Sequence, residues 1–336
     1  MLRVHSIHSI GRALLLGLCL IGGALQLSGQ SEPYRLYDLS FHYGKIWRHT
    51  PKISYEIPAS SWGAQFNIQT QTTGNKEWQV AQHYPLLGLS VAYHALGDPA
   101  VLGQALSLIP NFSIRWLDHA RWKGQLLIGT GLARLTQDYN AISNPLNNAI
   151  GSRLNNVTFF RADLGYQLHP KWELRLGGSF IHFSNAATQL PNLGINLPAA
   201  AVGCRYTPDP SAAWPPQIRS YDKKPARRLG LNVLYGMAFR ERSVPGGPKF
   251  PVYLAQVAGE YRLSKYNHVH LGLEYEFHKE IVQFALHNYT FRDPKAARKG
   301  ATRWGLMVAD ELIFGKVGIY LQTGIYLSKA SLFKPK

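Results

Sequence analysis

Cysteine is nearly absent from this chain, which has two cysteines in 336 residues. Cys19 lies in an N-terminal apolar run, so Cys204 is the only cysteine of the mature chain that we predict. One thiol excludes an internal disulfide and a metal site built on cysteines. The thirteen histidines show no spacing typical of a metal site, and we predict no metal and no other cofactor.

Acidic residues are also few, with 19 against 36 lysines and arginines, which gives a net charge of +17. Such a surplus of positive charge favours an anionic partner. Nucleic acid is the usual partner of a basic chain, but a secretory signal would argue against it. Phosphorylated lipid is the better candidate, and a solvated basic surface without a partner is the alternative.

Long apolar runs are confined to the start of the chain. Two arginines precede the apolar run over residues 13–27, and small residues follow it, in the order of a secretory signal peptide. No later segment has the ~20 uninterrupted apolar residues that a membrane-spanning helix needs. We therefore predict a signal peptide over residues 1–30 and one mature domain over residues 31–336.

The mature chain has the pattern of an antiparallel β protein, because short alternating segments recur with turns between them. Aromatic residues make up 12% of the chain. Many of the thirteen predicted strands have ten to fourteen residues, which fits a tilted crossing of a bilayer. The expectation is an all-β transmembrane barrel of about 12–14 strands in the bacterial outer membrane. Bacterial barrels have even strand numbers, so an odd count means a miscount or a missing C-terminal closing strand.

One predicted strand, residues 172–184, carries the chemistry. In a strand, residues two apart share a face. Leu174, Leu176, Phe180, His182 and Ser184 should therefore point away from the barrel axis, whereas Glu173, Arg175, Ser179 and Phe183 should point inward. A histidine beside a serine at the end of an apolar face resembles a base and a nucleophile that act on a lipid.

The lengths of the connections indicate which end of this strand lies outside. Outer-membrane barrels have short periplasmic turns and longer outer loops. The segments near 118–119, 168–171 and 264–266 are short, whereas 135–153 and 185–195 are long. His182 and Ser184 should therefore lie at the outer rim, near the lipid headgroups of the outer leaflet.

Two motifs carry a family resemblance. The run His182-Phe-Ser-Asn-Ala, followed by Pro-Asn-Leu-Gly-Ile-Asn at 191–196, resembles the lipid A 3-O-deacylase (PagL-like) family of outer-membrane hydrolases. The loop at 143–155 is similar to longer members of that family. The resemblance implies a serine esterase that removes the acyl chain at the 3 position of the lipid A glucosamine.

The resemblance also implies roles for individual residues. Ser184 would be the nucleophile, His182 the general base and Asn185 a contributor to the oxyanion site. The family has a glutamate twelve positions after the serine, where this chain has Asn196. If the strand at 196–206 pairs with the strand at 172–184 across the loop, residue 196 should lie nearly opposite Ser184 and within reach of His182. An amide can hold an imidazole tautomer by a hydrogen bond but cannot stabilise an imidazolium by charge. The outer-membrane phospholipase A family has a similar motif and uses an asparagine there.

Three functions are therefore open. The first is a serine esterase acting on lipid A, the second is a phospholipase A-like lipase, and the third is a non-enzymatic barrel, a porin or structural protein with a decayed site. The lumen distinguishes them, because a porin needs a wide polar interior and a small hydrolase barrel is filled by side chains. We predict lipid A as substrate, the outer membrane as location and no nucleic acid partner, whereas the sequence leaves the oligomeric state open.

Overall fold

The computed structural model describes residues 34–210, 224–242, 244–288 and 293–328. Within them lie thirteen strands and three short helices. The strands are β1 (Arg35–Gly44), β2 (Ser61–Gln71), β3 (Leu86–Ala95), β4 (Gln104–His119), β5 (Trp122–Leu135), β6 (Leu154–His169), β7 (Trp172–Ser184), β8 (Ile195–Tyr206), β9 (Leu229–Glu241), β10 (Lys249–Ser264), β11 (Asn267–His278), β12 (Thr302–Phe314) and β13 (Val317–Tyr326). The helices are α1 (Glu77–Ala81), α2 (Lys279–His287) and α3 (Pro294–Gly300). The predicted signal peptide and residues 329–336 lie outside the described residues.

The first eight strands form a closed antiparallel barrel in chain order. Each strand pairs with its neighbour, and β1 closes the barrel against β8 over Tyr37–Gly44 and Ala199–Tyr206. The prediction of an all-β antiparallel barrel is thus confirmed. The strand number of that barrel is corrected, because eight strands close it rather than 12–14.

The other five strands form a separate sheet in the order β13-β12-β11-β10-β9. Apolar and polar residues alternate in the same way along the strands of a barrel and of an open sheet. The sequence pattern therefore predicted the strands but not their division between a barrel and a second sheet. One face of the sheet is polar, with buried Gln256 and His270. The opposite face is apolar and exposed, as at Leu231 and Leu271. The prediction of a single mature domain from residue 31 stays a prediction.

Polar side chains fill the middle of the barrel. Arg161 donates hydrogen bonds to Asp38 and Asp163, each over 2.8 Å, and Arg175 donates to Asp163 over 3.1 Å. All four side chains are at most 3% exposed. Nearer the loop end, apolar side chains such as Phe159 and Phe183 complete the packing. In the described residues the barrel interior is therefore filled by side chains, as expected of a small hydrolase barrel.

The two ends of the barrel differ. One end, called the turn end below, carries the two-residue turns after β4 and β6 and the connection with α1. The other, the loop end, carries the connections after β1, β3, β5 and β7, including residues 136–153 and 185–194. This alternation agrees with the predicted short and long connections. No helix was predicted, whereas α2 and α3 lie between β11 and β12. No helix in the described residues is long and apolar enough to cross a membrane.

The contribution of the buried ion pairs to the stability of the barrel can be tested at Asp38. Removing it leaves Arg161 without one of its two carboxylate partners inside the barrel, and breaking a buried ion pair costs about 3–5 kcal/mol. We expect Asp38→Ala to lower the free energy of unfolding by that amount, measured by urea unfolding of the protein reconstituted in lipid vesicles.

The matched control is Asp118→Ala. Asp118 pairs with Lys123 at the turn end, where their side chains are 30% and 24% exposed. The same chemical change should cost less than about 1 kcal/mol there. Equal effects of the two substitutions would show that the buried network does not hold the barrel together.

Candidate active site

Strand β7 presents its outward residues as predicted. Leu176 is 66% exposed, whereas its neighbour Arg175 is 2% exposed in the barrel interior. Phe183 is buried as well, so His182 and Ser184 belong to the outward row that begins with Trp172. The alternation of apolar and polar residues therefore places both side chains on the outside of the barrel, at its loop end.

His182 lies between polar neighbours on two adjacent strands. Its cross-strand partners are Thr158 on β6 and Asn196 on β8. The Nδ1 atom of His182 is 2.6 Å from Oδ1 of Asn196. An amide oxygen can only accept, so Nδ1–H donates and Nε2 is left with its lone pair. This is the tautomer that a general base needs.

The register differs in one detail from the expectation. Residue 196 was predicted to lie nearly opposite Ser184, but it pairs with His182. The amide thus lies directly beside the imidazole, and Ser184 lies two residues further along the strand. The predicted proximity of Asn196 to His182 is present, and its catalytic role stays a prediction.

Ser184 is held by the loop that follows it. Its Oγ accepts hydrogen bonds from the backbone N–H of Ala186 over 3.2 Å and from Nδ2 of Asn192 over 3.0 Å. The imidazole of His182 is not among the partners that the structure gives this hydroxyl. Catalytic hydrogen bonds are often long in the absence of substrate, and the two residues share one row of the strand.

Asn185 has a different position from the one expected of an oxyanion donor. Its Nδ2 donates to Oγ of Ser152 over 2.8 Å and to the carbonyl of Gln189 over 2.9 Å. Both hydrogens of the Asn185 amide are therefore used in hydrogen bonds to Ser152 and to Gln189. The amide beside Ser184 is that of Asn192, which sequence reasoning quoted within the motif but gave no role.

Gly194 allows the loop to return close to the imidazole. Its φ is +79°, a conformation that glycine adopts at little cost. A Cβ at this position would be 3.0 Å from Cε1 of His182 and 3.2 Å from the carbonyl of Phe183. The glycine of the Pro-Asn-Leu-Gly motif is thus required by a close approach to His182.

The second sheet supports the same loop. The backbone N–H of Glu241, at the end of β9, donates to the carbonyl of Ala187 over 3.0 Å. Its carboxylate accepts a hydrogen bond from the backbone N–H of Leu190. Glu241 is 4% exposed, so this contact is shielded from solvent. Residues 185–194 are therefore fixed from both the barrel and the sheet.

An apolar depression of about 590 Å³ lies on the outer wall below His182, toward the turn end. Its floor is a row of small outward residues on three adjacent strands, Ala162, Gly178 and Ala200. Phe160 and Phe180 flank it on the side of His182. Four residues separate Gly178 from His182 along β7, which corresponds to about 13 Å.

The described residues contain no group of three or more histidine, cysteine, aspartate or glutamate side chains that could hold a metal ion. The donors around Ser184 and His182 are hydroxyl, amide and imidazole groups, which suit proton transfer and nucleophilic attack rather than metal binding.

The fold and the outward site define a class, that of bacterial outer-membrane β-barrel proteins. Within it, residues 62–205 match the model of the family described as lipid A 3-O-deacylase (PagL). The match covers β2 to β8 and includes His182, Ser184 and Asn196. The resemblance to this family that the two motifs carry is thereby confirmed over residues 62–205.

Solved structures of similar fold include small outer-membrane barrels. The match with the outer membrane enzyme PagL has 18% sequence identity and a TM-score of 0.34, and it covers 49% of this chain and 97% of that enzyme. Neisserial surface protein A is 10% identical, covering 53% and 99%, with a TM-score of 0.37. The N-terminal barrel domain of OprF from Pseudomonas aeruginosa is 10% identical, covering 52% and 98%, with a TM-score of 0.30. The chain has no significant match among curated proteins.

The contact of Asn196 with His182 can be tested without substrate. Asn196→Ala removes the acceptor on Nδ1, so the neutral imidazole should change from one tautomer to a mixture of both. The measurement is the ¹⁵N chemical shifts of the ring, assigned as the signals that disappear in His182→Gln. Asn196→Glu supplies another acceptor and should keep Nδ1 protonated. An unchanged tautomer in Asn196→Ala would mean that another group orients the ring.

Proposed function

We propose that this protein is a serine esterase that hydrolyses an ester-linked acyl chain of lipid A, at the 3 position of the glucosamine. The observation that carries the proposal is the row His182–Ser184 on the outside of the barrel, with Asn196 on Nδ1 of the histidine. A hydroxyl is a poor nucleophile until a base accepts its proton, and this tautomer leaves Nε2 ready to do so.

In the proposed reaction, Oγ of Ser184 attacks the ester carbonyl while its proton passes to Nε2 of His182. The tetrahedral intermediate then collapses, and the sugar oxygen leaves with the proton from the imidazolium. Water attacks the acyl-enzyme by the same route, which releases the fatty acid and restores the serine. Asn196 holds the ring throughout but brings no negative charge to the imidazolium.

The developing oxyanion needs preorganised donors. The amide of Asn192 and the backbone N–H of Ala186 already point at Oγ of Ser184, over 3.0 and 3.2 Å. Both donors lie next to the atom that becomes bonded to the carbonyl carbon. We assign them this role in place of the side chain of Asn185, whose amide hydrogens are used within the loop.

A lipid substrate fits the surroundings of the site. Leu176 and Phe180 precede His182 on the same outward face, so the ester would be reached from the membrane. The apolar depression below His182 has room for part of an acyl chain. A filled lumen also favours a small hydrolase over a porin, which needs an open channel.

A phospholipase A-like activity is the second candidate, and Asn196 is the residue that favours it. Both activities need the same row of residues and the same face of the membrane. Incubating the reconstituted protein with purified lipid A and with phosphatidylethanolamine, followed by mass spectrometry of the products, separates them. Release of the 3-linked acyl chain supports the proposal, and release from the phospholipid alone would replace it.

Ser184→Ala and His182→Ala should each abolish ester cleavage and leave the barrel folded, because both side chains point away from the packed interior. The two losses should be similar, since residues of one catalytic unit are not additive. A loss of about 10³-fold or more in kcat is expected for a nucleophile or its base. Product release is measured on lipid A with purified, reconstituted variants.

Matched controls are Ser143→Ala in the loop after β5 and His119→Ala at the turn end. Both side chains are exposed, and both changes are chemically the same as those at the site. They should keep nearly full activity. Retention of most activity in Ser184→Ala or His182→Ala would remove the assignment of that residue.

The depression can be tested by filling it. A Cβ on Gly178 would have no atom closer than 3.9 Å, so a side chain there extends outward without disturbing the barrel. We expect Gly178→Leu to lower kcat/KM for long-chain esters about ten-fold and to leave short-chain esters unchanged. Ala64→Leu on β2 is the control, since it adds bulk on the outward face of another strand. Equal effects on long and short chains would exclude an acyl-binding depression.

A further inference from the structure

Two exposed cations close to the site, Lys45 and Arg134, have no partner among the described residues. Arg134 is exposed near the end of β5, between the buried residues Ala133 and Leu135, so its side chain points outward. Lys45 follows β1 and precedes the buried Ile46. Neither side chain has a hydrogen bond or ion pair with any residue that the structure describes.

Two arginines at the same end of the barrel are engaged within the protein. Arg153 is paired with Asp138 over 3.1 Å. Arg48 donates to the carbonyls of Ile53 and Tyr55, over 3.1 and 3.3 Å. Lys45 and Arg134 differ from these two arginines, because their charges are free to meet an anion from outside the protein.

The register places the two free cations on opposite sides of the site. Arg134 pairs with Leu154 of β6, two residues from Asn156, and Asn156 pairs with Ser184. Two strand spacings and two residues along the strand separate Arg134 from Ser184, which corresponds to about 12 Å between Cα atoms.

Lys45 lies on the other side. Gly44 pairs with Ala199, and the backbone N–H of Trp47 donates to the carbonyl of Asn196 over 2.9 Å. The segment after β1 thus continues along β8 and brings Lys45 beside Pro198. Pro198 pairs with Phe180, two residues before His182, so Lys45 is also about 12 Å from His182.

We propose that Lys45 and Arg134 bind phosphate groups on the headgroup of the lipid substrate, one on each side of the ester that reaches Ser184. This inference rests on the proposed function and deepens it. Each ammonium or guanidinium extends from its Cα over the rim, where the anionic groups of an outer-leaflet lipid lie. The pair would select a phosphorylated glycolipid by binding its headgroup equally in the ground state and in the transition state, which lowers KM and leaves kcat unchanged.

Lysine and arginine residues at a membrane interface also serve as simple anchors. An anchor acts on the position of the whole barrel and treats every substrate alike. A headgroup site acts only on substrates that carry the anion. The two roles can therefore be separated by substrates that differ only in their phosphate groups.

The experiment uses the full-length protein in vesicles of neutral lipid, with lipid A that carries both phosphates and the same lipid A after phosphatase treatment. Lys45→Gln and Arg134→Gln should each raise KM for the phosphorylated substrate about three- to five-fold, the range for an exposed ion pair. The double variant should raise it about ten- to twenty-five-fold, because distant sites are additive. KM for the dephosphorylated substrate and kcat for both should not change.

Lys171→Gln is the matched control, because Lys171 is an exposed lysine at the turn end of the same barrel. It should leave KM for both substrates unchanged. Equal changes for the two substrates in Lys45→Gln and Arg134→Gln would assign the cations to anchoring and overturn the inference. No change in either variant would overturn it as well.

Binding separates this inference from the proposed reaction. In the Ser184→Ala background, native mass spectrometry measures lipid A retained by the protein in the absence of turnover. Weaker retention of phosphorylated lipid A on Lys45→Gln would support the headgroup site even if the wild type released no fatty acid. Inorganic phosphate alone should not inhibit hydrolysis of a neutral short-chain ester. Inhibition that disappears in the double variant would show a site for free phosphate and overturn the headgroup assignment.

Discussion

The ion pairs of Asp38 inside the barrel determine where the other parts of the molecule lie. Asp38 is on the first strand, and its carboxylate meets Arg161 of β6, with Arg175 of β7 and Arg205 of β8 within 3.7 Å. Buried charges tolerate little displacement, because an unpaired charge in the interior is costly. The network therefore fixes β1 in register with β8, the pairing that closes the barrel. That closure in turn brings Trp47 beside Asn196, and Asn196 lies beside His182.

The sequence predicted the strands and the side of the barrel to which their residues point. It did not predict how many strands close the barrel. The bounds of β7 agree with the predicted strand, and His182 and Ser184 point outward because the period of a strand is two. The proximity of Asn196 to His182 followed from pairing two strands across one loop. Closure at eight strands could not be predicted, because the pairing of β1 with β8 joins segments about 160 residues apart. The contact of Asn192 with Ser184 was also missed, since it depends on how the loop folds back.

The site is built from a rigid strand and a loop that several elements hold. Ser184 and His182 are on β7, whereas the donors beside Ser184 come from residues 186 and 192. Asn185 connects this loop to Ser152, and Glu241 connects it to the second sheet. The side chains of His182 and Ser184 are placed by the strand register, and the donors beside Ser184 are placed by the loop. Changes in the second sheet can therefore alter the geometry at Ser184 without touching the barrel.

The second sheet has five strands, and this number restricts what its edges can join. Direction alternates along an antiparallel sheet, so β9 and β13 run the same way, both toward the loop end. Joining these two edges directly would create a parallel pair, whereas the strands that the structure describes all pair antiparallel. An antiparallel neighbour of either edge must run toward the turn end. A polypeptide can therefore extend the second sheet by antiparallel pairing only if its strand runs opposite to β9 and β13.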